Sequence, residues 1–462
     1  MANPLWTSDD IARATGGEAK GRFSATGVSI DTRSLEPGDL FVALAGVRDG
    51  HEFVAQAMGK GAAGALVSQS VDAPYVNAGE TLAALEKLGV AARERATRAR
   101  RGAVTGSVGK TSVTQAIMAG LSLAGPAHSS VKSYNNHIGV PLTLARMPAA
   151  TERAVFEIGM NHADEIRPLS RFVRPHAAVV TTVGPVHTEN FPDGEAGVAR
   201  AKAEIFEGLE PGGLAILNAD NKWFDLLSAE ARKAGAKVLS FGTGEGADAR
   251  LIDFQVPGGH AVVQARLHGK ALDFPILQTG LHWGLNSMAV LLMLEALDVD
   301  LGKSLAALGA FEPLAGRGAE TTVKLAGGGV TVIDESYNAN PISMASAIRT
   351  LGARATGGRR IVALTDMLEL GPEAVAFHAG LAGPIETASI DLVFCAGPLM
   401  KSLWDALPPT RRGGYAQTAA DLAPQVAGAL QAGDVVMVKG SNGSKAGSIA
   451  QTLLALGSGE AG

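Results

Sequence analysis

Short apolar runs recur along the chain, and each ends in Gly, Asn, Asp or Ser: RAVFEIG, AAVVTTVG, LAILNAD, GVTVIDES, RIVALTD, DLVFCAG and DVVMVKGS. Each is of strand length, and most are apolar on both faces instead of alternating, which suits strands buried in a parallel sheet. Between them lie segments of helical period such as AGVARAKAEIFEGL and WGLNSMAVLLMLEALD. This alternation predicts α/β layers. In such sheets chemistry gathers beyond the carboxyl ends of the strands. The polar residues that close the runs are therefore the first candidates.

The pattern divides into three blocks. Residues 1–79 predict a small α/β module. Its first helix, SDDIARAT, is expected to be capped at Ser8 and stopped by Gly16–Gly17. In VSIDTRSLEPGDLFVALAG two strands flank a Pro37–Gly38 turn. Residues 80–312 form a middle block, and residues 313–462 a third that holds the last four strand runs. No internal repeat or low-complexity tract is visible.

The chain has 46% apolar and 18% charged residues and a formal net charge of -5. No bulk electrostatics favour nucleic acid or an anionic membrane. The local basic run Arg93, Arg95, Arg98, Arg100 and Arg101 reads as the solvated end of a helix and a linker. The single cysteine, Cys395, cannot form an intrachain disulfide and reads as a buried strand thiol, which fits a reducing cytosol. The N-terminal stretch lacks the basic and apolar regions of a signal peptide. The apolar run MAVLLML stops at Glu295, far short of the about 20 residues of a membrane span. A cytoplasmic monomer is expected, with no nucleic-acid or membrane partner.

The segment RRGAVTGSVGKTSVTQAIMAGLSLAG predicts a short strand, a glycine loop and a helix. The usual phosphate-loop spelling G-x-x-x-x-G-K-[ST] would need glycine at 104, where the chain has Val104. Gly106 and Gly109 would let backbone N–H groups crowd around an anion, reinforced by the helix N-terminus. Lys110 would neutralise phosphate charge and Thr111 would offer a hydroxyl to Mg2+. A glycine turn before an ordinary helix is the competing reading. A GTP switch would need N-K-x-D, and the nearest match, NKWF at 221–224, has Phe224 in place of the aspartate. No arginine-bearing lid of a small-molecule kinase is evident.

The spelling T-G-S-x-G-K-T resembles the phosphate loop of the Mur ligase superfamily. The resemblance extends over nearly the whole chain, through SIDTRSLEPGDLFVALAGVRDGHEF, SYNNHIGVPLTL (133–144), FEIGMNHADEI (156–166), TGLHWGLNSMAV, PLAGRGAE and DESYNANPISM. It implies three domains. Residues 1–79 would be a small α/β UDP-muramoyl-binding module, and residues 80–312 a central P-loop ATP-binding domain with a mostly parallel sheet. Residues 313–462 would be a Rossmann-like C-terminal ligase domain. It further implies an ATP- and Mg2+-dependent ligase working through an acyl phosphate. The spelling YNANPISM points to the branch that joins D-alanyl-D-alanine to a UDP-N-acetylmuramoyl tripeptide. A ligase adding a single amino acid, and a nucleotide-binding regulator that joins nothing, stay as alternatives.

The resemblance also assigns roles. Gly106, Ser107, Val108, Gly109, Lys110, Thr111 and Ser112 would hold the ATP phosphates, and His282 and Asn286 would meet the adenine. Arg317 would reach the γ-phosphate and Asp334 the ribose hydroxyls, and Tyr337 and Asn338 would also bind ATP. Thr111, Glu157, His187 and Lys202 would serve metal, Lys202 as a carbamate formed with CO2. Lys110, Lys202, His187 and Arg317 would carry catalysis. Ser29, Asp31, Thr32 and Arg33 would contact the uridine diphosphate, and Asn135 and Asn136 the muramoyl peptide. Taken alone, Glu157 reads as a surface carboxylate, His187 as a loop histidine, Lys202 as a solvated helix lysine, and His282 and Asn286 as helix-capping residues. Two departures from the family pattern stand out. Trp283 occupies a position often held by Asn. VKGSNGSKAG has Asn442 in place of the arginine of V-K-G-S-R-x-x-x-M-E and lacks its Met–Glu pair, which leaves Lys439 and Lys445 as candidate anchors for the incoming dipeptide.

Overall fold

The computed structural model describes residues 4–131, 133–258, 260–325 and 327–458. Its largest sheet has nine strands. From edge to edge they are Lys270–Ile276, His260–Leu267, Ala249–Gly258, Lys237–Gly242, Leu214–Asn218, Ala177–Val180, Arg100–Thr105, Arg153–Glu157 and Ala127–Ser129. The strands from Ala127–Ser129 to Lys237–Gly242 run parallel, and Ala249–Ile276 adds an antiparallel meander at the far edge. The apolar runs RAVFE, AAVV and LAILN therefore lie side by side in the core, and their carboxyl ends open on one edge of the sheet.

A six-stranded sheet orders Ala319–Leu325, Gly328–Glu335, Val435–Lys439, Arg360–Thr365, Leu392–Ala396 and Arg412–Ala416. It is parallel except for the first hairpin. A five-stranded sheet orders Glu18–Lys20, Tyr75–Asn77, Gly64–Val67, Asp39–Val42 and Gly27–Ser29. A two-stranded ribbon pairs Trp6–Thr7 with Ser24–Ala25. Mixed α/β layering with mostly parallel sheets is the fold class expected.

The two strands expected around Pro37–Gly38 are present, and Gly27–Ser29 pairs parallel with Asp39–Val42. Two local expectations are corrected. The first helix, Ser8–Thr15, is capped by Thr7 and not by Ser8; Thr7 and Asp10 form a reciprocal capping box. The basic run is only in part a solvated surface: Arg98 is exposed, but its neighbours are not all so. Arg93 and Arg101 are buried, and their guanidinium groups donate to the carbonyls of Arg171, Phe172 and Val173. Arg101 also pairs with Glu210. Arg95 lies 3.8 Å over the Trp6 ring and donates to the carbonyls of Leu5 and Met147. These arginines tie helix ends to backbone, a use that composition does not reveal.

One hydrophobic core joins residues on both sides of position 79. It includes Trp6, Ile11, Leu40 and Leu66 together with Leu85, Leu88, Leu142 and Ala145. The helices Thr81–Arg95 and Gly139–Ala145 supply the second group. The cores of the six-stranded sheet draw only on residues beyond 320.

Candidate active site

The carboxyl ends of the nine-stranded sheet face the six-stranded sheet across a cleft of about 1040 Å³. The glycine loop forms one wall. Gly106 (φ +153°) and Gly109 (φ +85°) adopt backbone angles that side chains disfavour. A Cβ at Gly106 would lie 1.9 Å from Thr181 Oγ1, so the loop tolerates nothing larger there. The Ser107 hydroxyl donates to Gly184 O and accepts from Gly184 N–H, and Thr181 Oγ1 donates to Val108 O at 2.5 Å. The helix Lys110–Ala124 begins without a side-chain cap, so its first N–H groups have no side-chain acceptor. Lys110 Nζ donates to Gly106 O at 2.8 Å, and burial lowers its pKa while Glu157 opposes the shift. Ser107, Val108, Gly109, Lys110, Thr111 and Ser112 all line the cleft. A loop and helix end that present only donors and positive charge suit phosphate.

Glu157 closes the strand Arg153–Glu157 and is 1% exposed. Its Oε1 accepts from Asn135 Nδ2 at 2.6 Å, while its Oε2 is buried without a hydrogen-bond partner. Lys202, on the helix Glu195–Ala203, is 3% exposed, and its side chain forms no hydrogen bond or ion pair among the described residues. Burial, aided by Lys110, holds its pKa well below the usual lysine range. The solvated-lysine reading of this position is therefore overturned. His187 lines the cleft; burial, then Lys202 and Lys110, pull its pKa down to about 4. A neutral imidazole is the metal-ligating form. Among the described residues no group of three His, Cys, Asp or Glu could hold an ion unaided. Mg2+ needs less, since it keeps waters and takes phosphate oxygens beside one or two carboxylates. The unpartnered Glu157 oxygen fits that requirement.

The opposite wall comes from the six-stranded domain and the segment leading to it. Arg317 donates to Thr111 Oγ1 at 3.1 Å and lies 3.9 Å over the Tyr337 ring. The Tyr337 hydroxyl meets the Ser133 hydroxyl across the cleft. Tyr337 and Asn338 line the cleft, but Asp334 does not; its carboxylate accepts from Ser336 N–H. In a strand successive side chains face opposite ways, and here Glu335 is the one on the cleft wall. Lys439, buried, pairs with Glu335 at 3.2 Å and donates to Asn338 O. Of the two candidate anchor lysines, Lys439 lines the cleft, whereas Lys445 is exposed and does not.

His282 and Asn286 also line the cleft, and a Cβ at Gly109 would come 3.5 Å from Asn286 Oδ1. Neither is the N-cap; the helix starts at His282 and its cap, Leu281, makes no side-chain bond. Trp283 turns away into the core against Phe311. Asn135 and Asn136 line the cleft, with Asn136 Oδ1 also accepting from Gly139 N–H. Ser29, Asp31, Thr32 and Arg33 are not brought to it. They sit where the strand Gly27–Ser29 ends, with Asp31 bonded to the Arg33 guanidinium and Thr32 to Gln56. Sequence reasoning missed Glu335, Asn161, His162, Asn218 and Arg349 on the cleft walls. Asn218 ends a strand run, so the rule of strand-end polar residues would have found it.

The chain matches the Mur ligase middle domain over residues 104–294 and the Mur ligase, glutamate ligase domain over residues 321–442. It is 30% identical over 446 residues to UDP-N-acetylmuramoyl-tripeptide–D-alanyl-D-alanine ligase of Rickettsia prowazekii, covering 96% of this chain and 98% of that one. The chain belongs to the UDP-N-acetylmuramoyl-tripeptide–D-alanyl-D-alanine ligase family. The ligase of this name from Bacillus subtilis is 34% identical, with 93% of each chain covered. Among solved structures, MurF from Acinetobacter baumannii superposes with a TM-score of 0.85 at 27% identity, covering 97% of this chain and 98% of that one. MurF from Thermotoga maritima, solved in complex with ADP, shares the fold at a TM-score of 0.79 and 22% identity, covering 94% and 98%. Among the described residues of this family member, no helix is long and apolar enough to cross a membrane.

Proposed function

We propose that this chain uses ATP to join D-alanyl-D-alanine to a UDP-N-acetylmuramoyl tripeptide in the cytoplasm. The observation that carries the reading is one cleft lined by the glycine loop, by Asn135 and Asn136, and by Arg317 and Lys439 from the far side. Phosphate-binding, peptide-facing and cationic groups thus share one volume. Residues 1–79 act as the UDP-binding domain, with Ser29, Asp31, Thr32 and Arg33 at the uridine diphosphate. Residues 80–312 carry ATP, and residues 313–462 complete the site.

A carboxylate is a poor acylating agent because its oxygen is a poor leaving group. The tripeptide carboxylate oxygen attacks the γ-phosphorus, the bond to the β-phosphate oxygen breaks, and ADP leaves. The dipeptide amine then attacks the acyl carbon, inorganic phosphate departs, and the amine loses its proton. Gly106 to Ser112 cradle the phosphates, and Lys110 and Arg317 neutralise charge that grows on the transferred group. Asn286 and His282 border the base, with Tyr337 and Asn338 in the same nucleotide site. Lys439 anchors the dipeptide carboxylate.

Thr111, Glu157, His187 and Lys202 would hold Mg2+, which would polarise the γ-phosphoryl group when bound. Lys202 takes the carbamate form. Its depressed pKa leaves a neutral amine, the form that adds to CO2, and the product is an anionic oxygen donor beside Lys110. The six-stranded domain keeps water from the acyl phosphate.

A coupled phosphate-release assay tests the overall reading. Turnover is expected only with both the UDP-muramoyl tripeptide and D-alanyl-D-alanine; equal ATPase activity without them would sink it. Replacement of the dipeptide by single amino acids with full activity would favour the mono-adding branch. Lys202→Ala is expected to lower turnover by about 100- to 1000-fold, as loss of a charge-stabilising group does, and acetate should restore part of it. Failure of any carboxylate to rescue would count against the carbamate.

A further inference from the structure

His187 does not face the cleft unsupported. Its Nδ1 lies 3.2 Å from Glu369 Oε2, a carboxylate from the far side of the cleft. Both residues hold left-handed backbone angles, φ +59° for His187 and φ +61° for Glu369. Non-glycine residues adopt this region at a cost, and such strain concentrates at functional sites.

The segment that presents Glu369 is anchored on every side. Asp366 accepts from Met400 N–H, Met367 N–H donates to His378 Nε2, and Leu368 N–H donates to Ser441 Oγ. His378 is itself fully buried and bonded at its other nitrogen to Ala374 O. The next residues touch the same partner loop, for a Cβ at Gly371 would come 3.1 Å from Glu189 Cβ. A hydrogen-bonded segment of the six-stranded domain therefore places a carboxylate beside one imidazole nitrogen of the nine-stranded domain.

We propose that Glu369 is a positioning residue for His187. The 3.2 Å approach lets the carboxylate accept a hydrogen bond from Nδ1–H once the ring aligns, which would fix the tautomer and leave the Nε2 lone pair for the cation. Carboxylates that orient metal-bound histidines in this way are worth about 10- to 100-fold in metal affinity. The inference rests on the reading of His187 as a ligand to a divalent cation, and adds that the ligand is set only while the two domains are docked. Cation affinity and domain docking are then linked, and each raises the other.

The test is Mn2+ binding by electron paramagnetic resonance, on the full-length protein with a non-hydrolysable ATP analogue, in a double-mutant cycle. Glu369→Ala is expected to weaken Mn2+ binding by about 10-fold or more. Glu369→Gln, which keeps an acceptor oxygen, should weaken it less. In a His187→Ala background, Glu369→Ala should change Mn2+ affinity by less than about 2-fold, because the residue acts through the ring. Thermal melting is expected to stay within a few degrees in all variants, since the contact lies at the surface of the cleft. Unchanged Mn2+ binding in Glu369→Ala would overturn the proposal. So would an equal loss in the presence and absence of His187. If His187→Ala alone leaves Mn2+ affinity intact, the ligand reading of His187 fails, and that outcome is separate from the first.

Discussion

The middle domain meets its two neighbours in opposite ways. Toward the N-terminus the seam is a core: Trp6, Leu40 and Leu66 pack with Leu85, Leu88 and Leu142. Its polar contacts are buried and directed at backbone, with Trp6 Nε1 donating to Ala145 O at 2.8 Å and Arg146 Nε to Val28 O at 2.7 Å. Toward the C-terminus no hydrophobic cluster crosses among the described residues. That seam is a ring of isolated polar contacts around the cleft: Arg317 with Thr111, Ser133 with Tyr337, Thr279 with Glu320, and Leu281 N–H with Thr350. Burial of apolar surface is roughly additive and has no single geometry, so the first seam stays shut. A ring of hydrogen bonds exchanges readily with water, so the second can open and close. The N-terminal seam is therefore the fixed one, and the C-terminal seam the one built to open.

Trp6→Ala should break this contrast most strongly. Loss of a buried indole typically costs about 3–5 kcal/mol, and here it also removes the ring beneath Arg95 and leaves Ala145 O without the Trp6 donor. Calorimetry should show a lower melting temperature and a separate early transition for residues 1–79; a single unshifted transition would refute the fixed seam. Acid should act next. Burial holds His128 at about 4, and its ring contacts Thr143 O in the helix that carries the first seam. A histidine with a depressed folded pKa contributes stability that is complete above pH ~6.5 and is lost as pH falls toward 4. The loss reaches up to about 3 kcal/mol for a shift of this size. Melting temperatures of the wild type should fall between pH 6.5 and 4 more steeply than those of His128→Gln. The smallest effect is expected at the second seam. Thr279→Val removes one contact worth about 0.5–1.5 kcal/mol, so the melting temperature should scarcely change. The small-angle scattering radius of the nucleotide-bound protein should rise instead, and an unchanged radius with a lowered melting point would mean that this seam is a core as well.

Much of the fold was legible because strand length, two-sided apolarity and helical period all agree in RAVFE, AAVV and LAILN. The glycine loop was legible because its chemistry is local: two glycines, a lysine and a threonine on consecutive elements. Lys202 was not. A lysine in AGVARAKAEIF has the spacing of a solvated helix face, and only the packing of that helix into the core beside the large sheet buries it. Glu335 was overlooked for a related reason: Asp334 and Glu335 are adjacent carboxylates, and the strand register alone decides which faces the cleft. The arginines at 93 and 101 read as surface because their partners are backbone carbonyls about seventy or more residues away. Glu369 had no local mark, since its partner lies on another domain.

The buried thiol has a practical consequence. Cys395 is the chain's single cysteine, lies inside the strand Leu392–Ala396, and is pushed by burial to about 12. At neutral pH it carries almost no thiolate, so maleimide dyes have no native target. Two cysteines engineered on opposite lips of the cleft would be labelled in an otherwise silent background. The distance between their fluorophores would then follow each catalytic cycle in single molecules, with the wild-type thiol left in place.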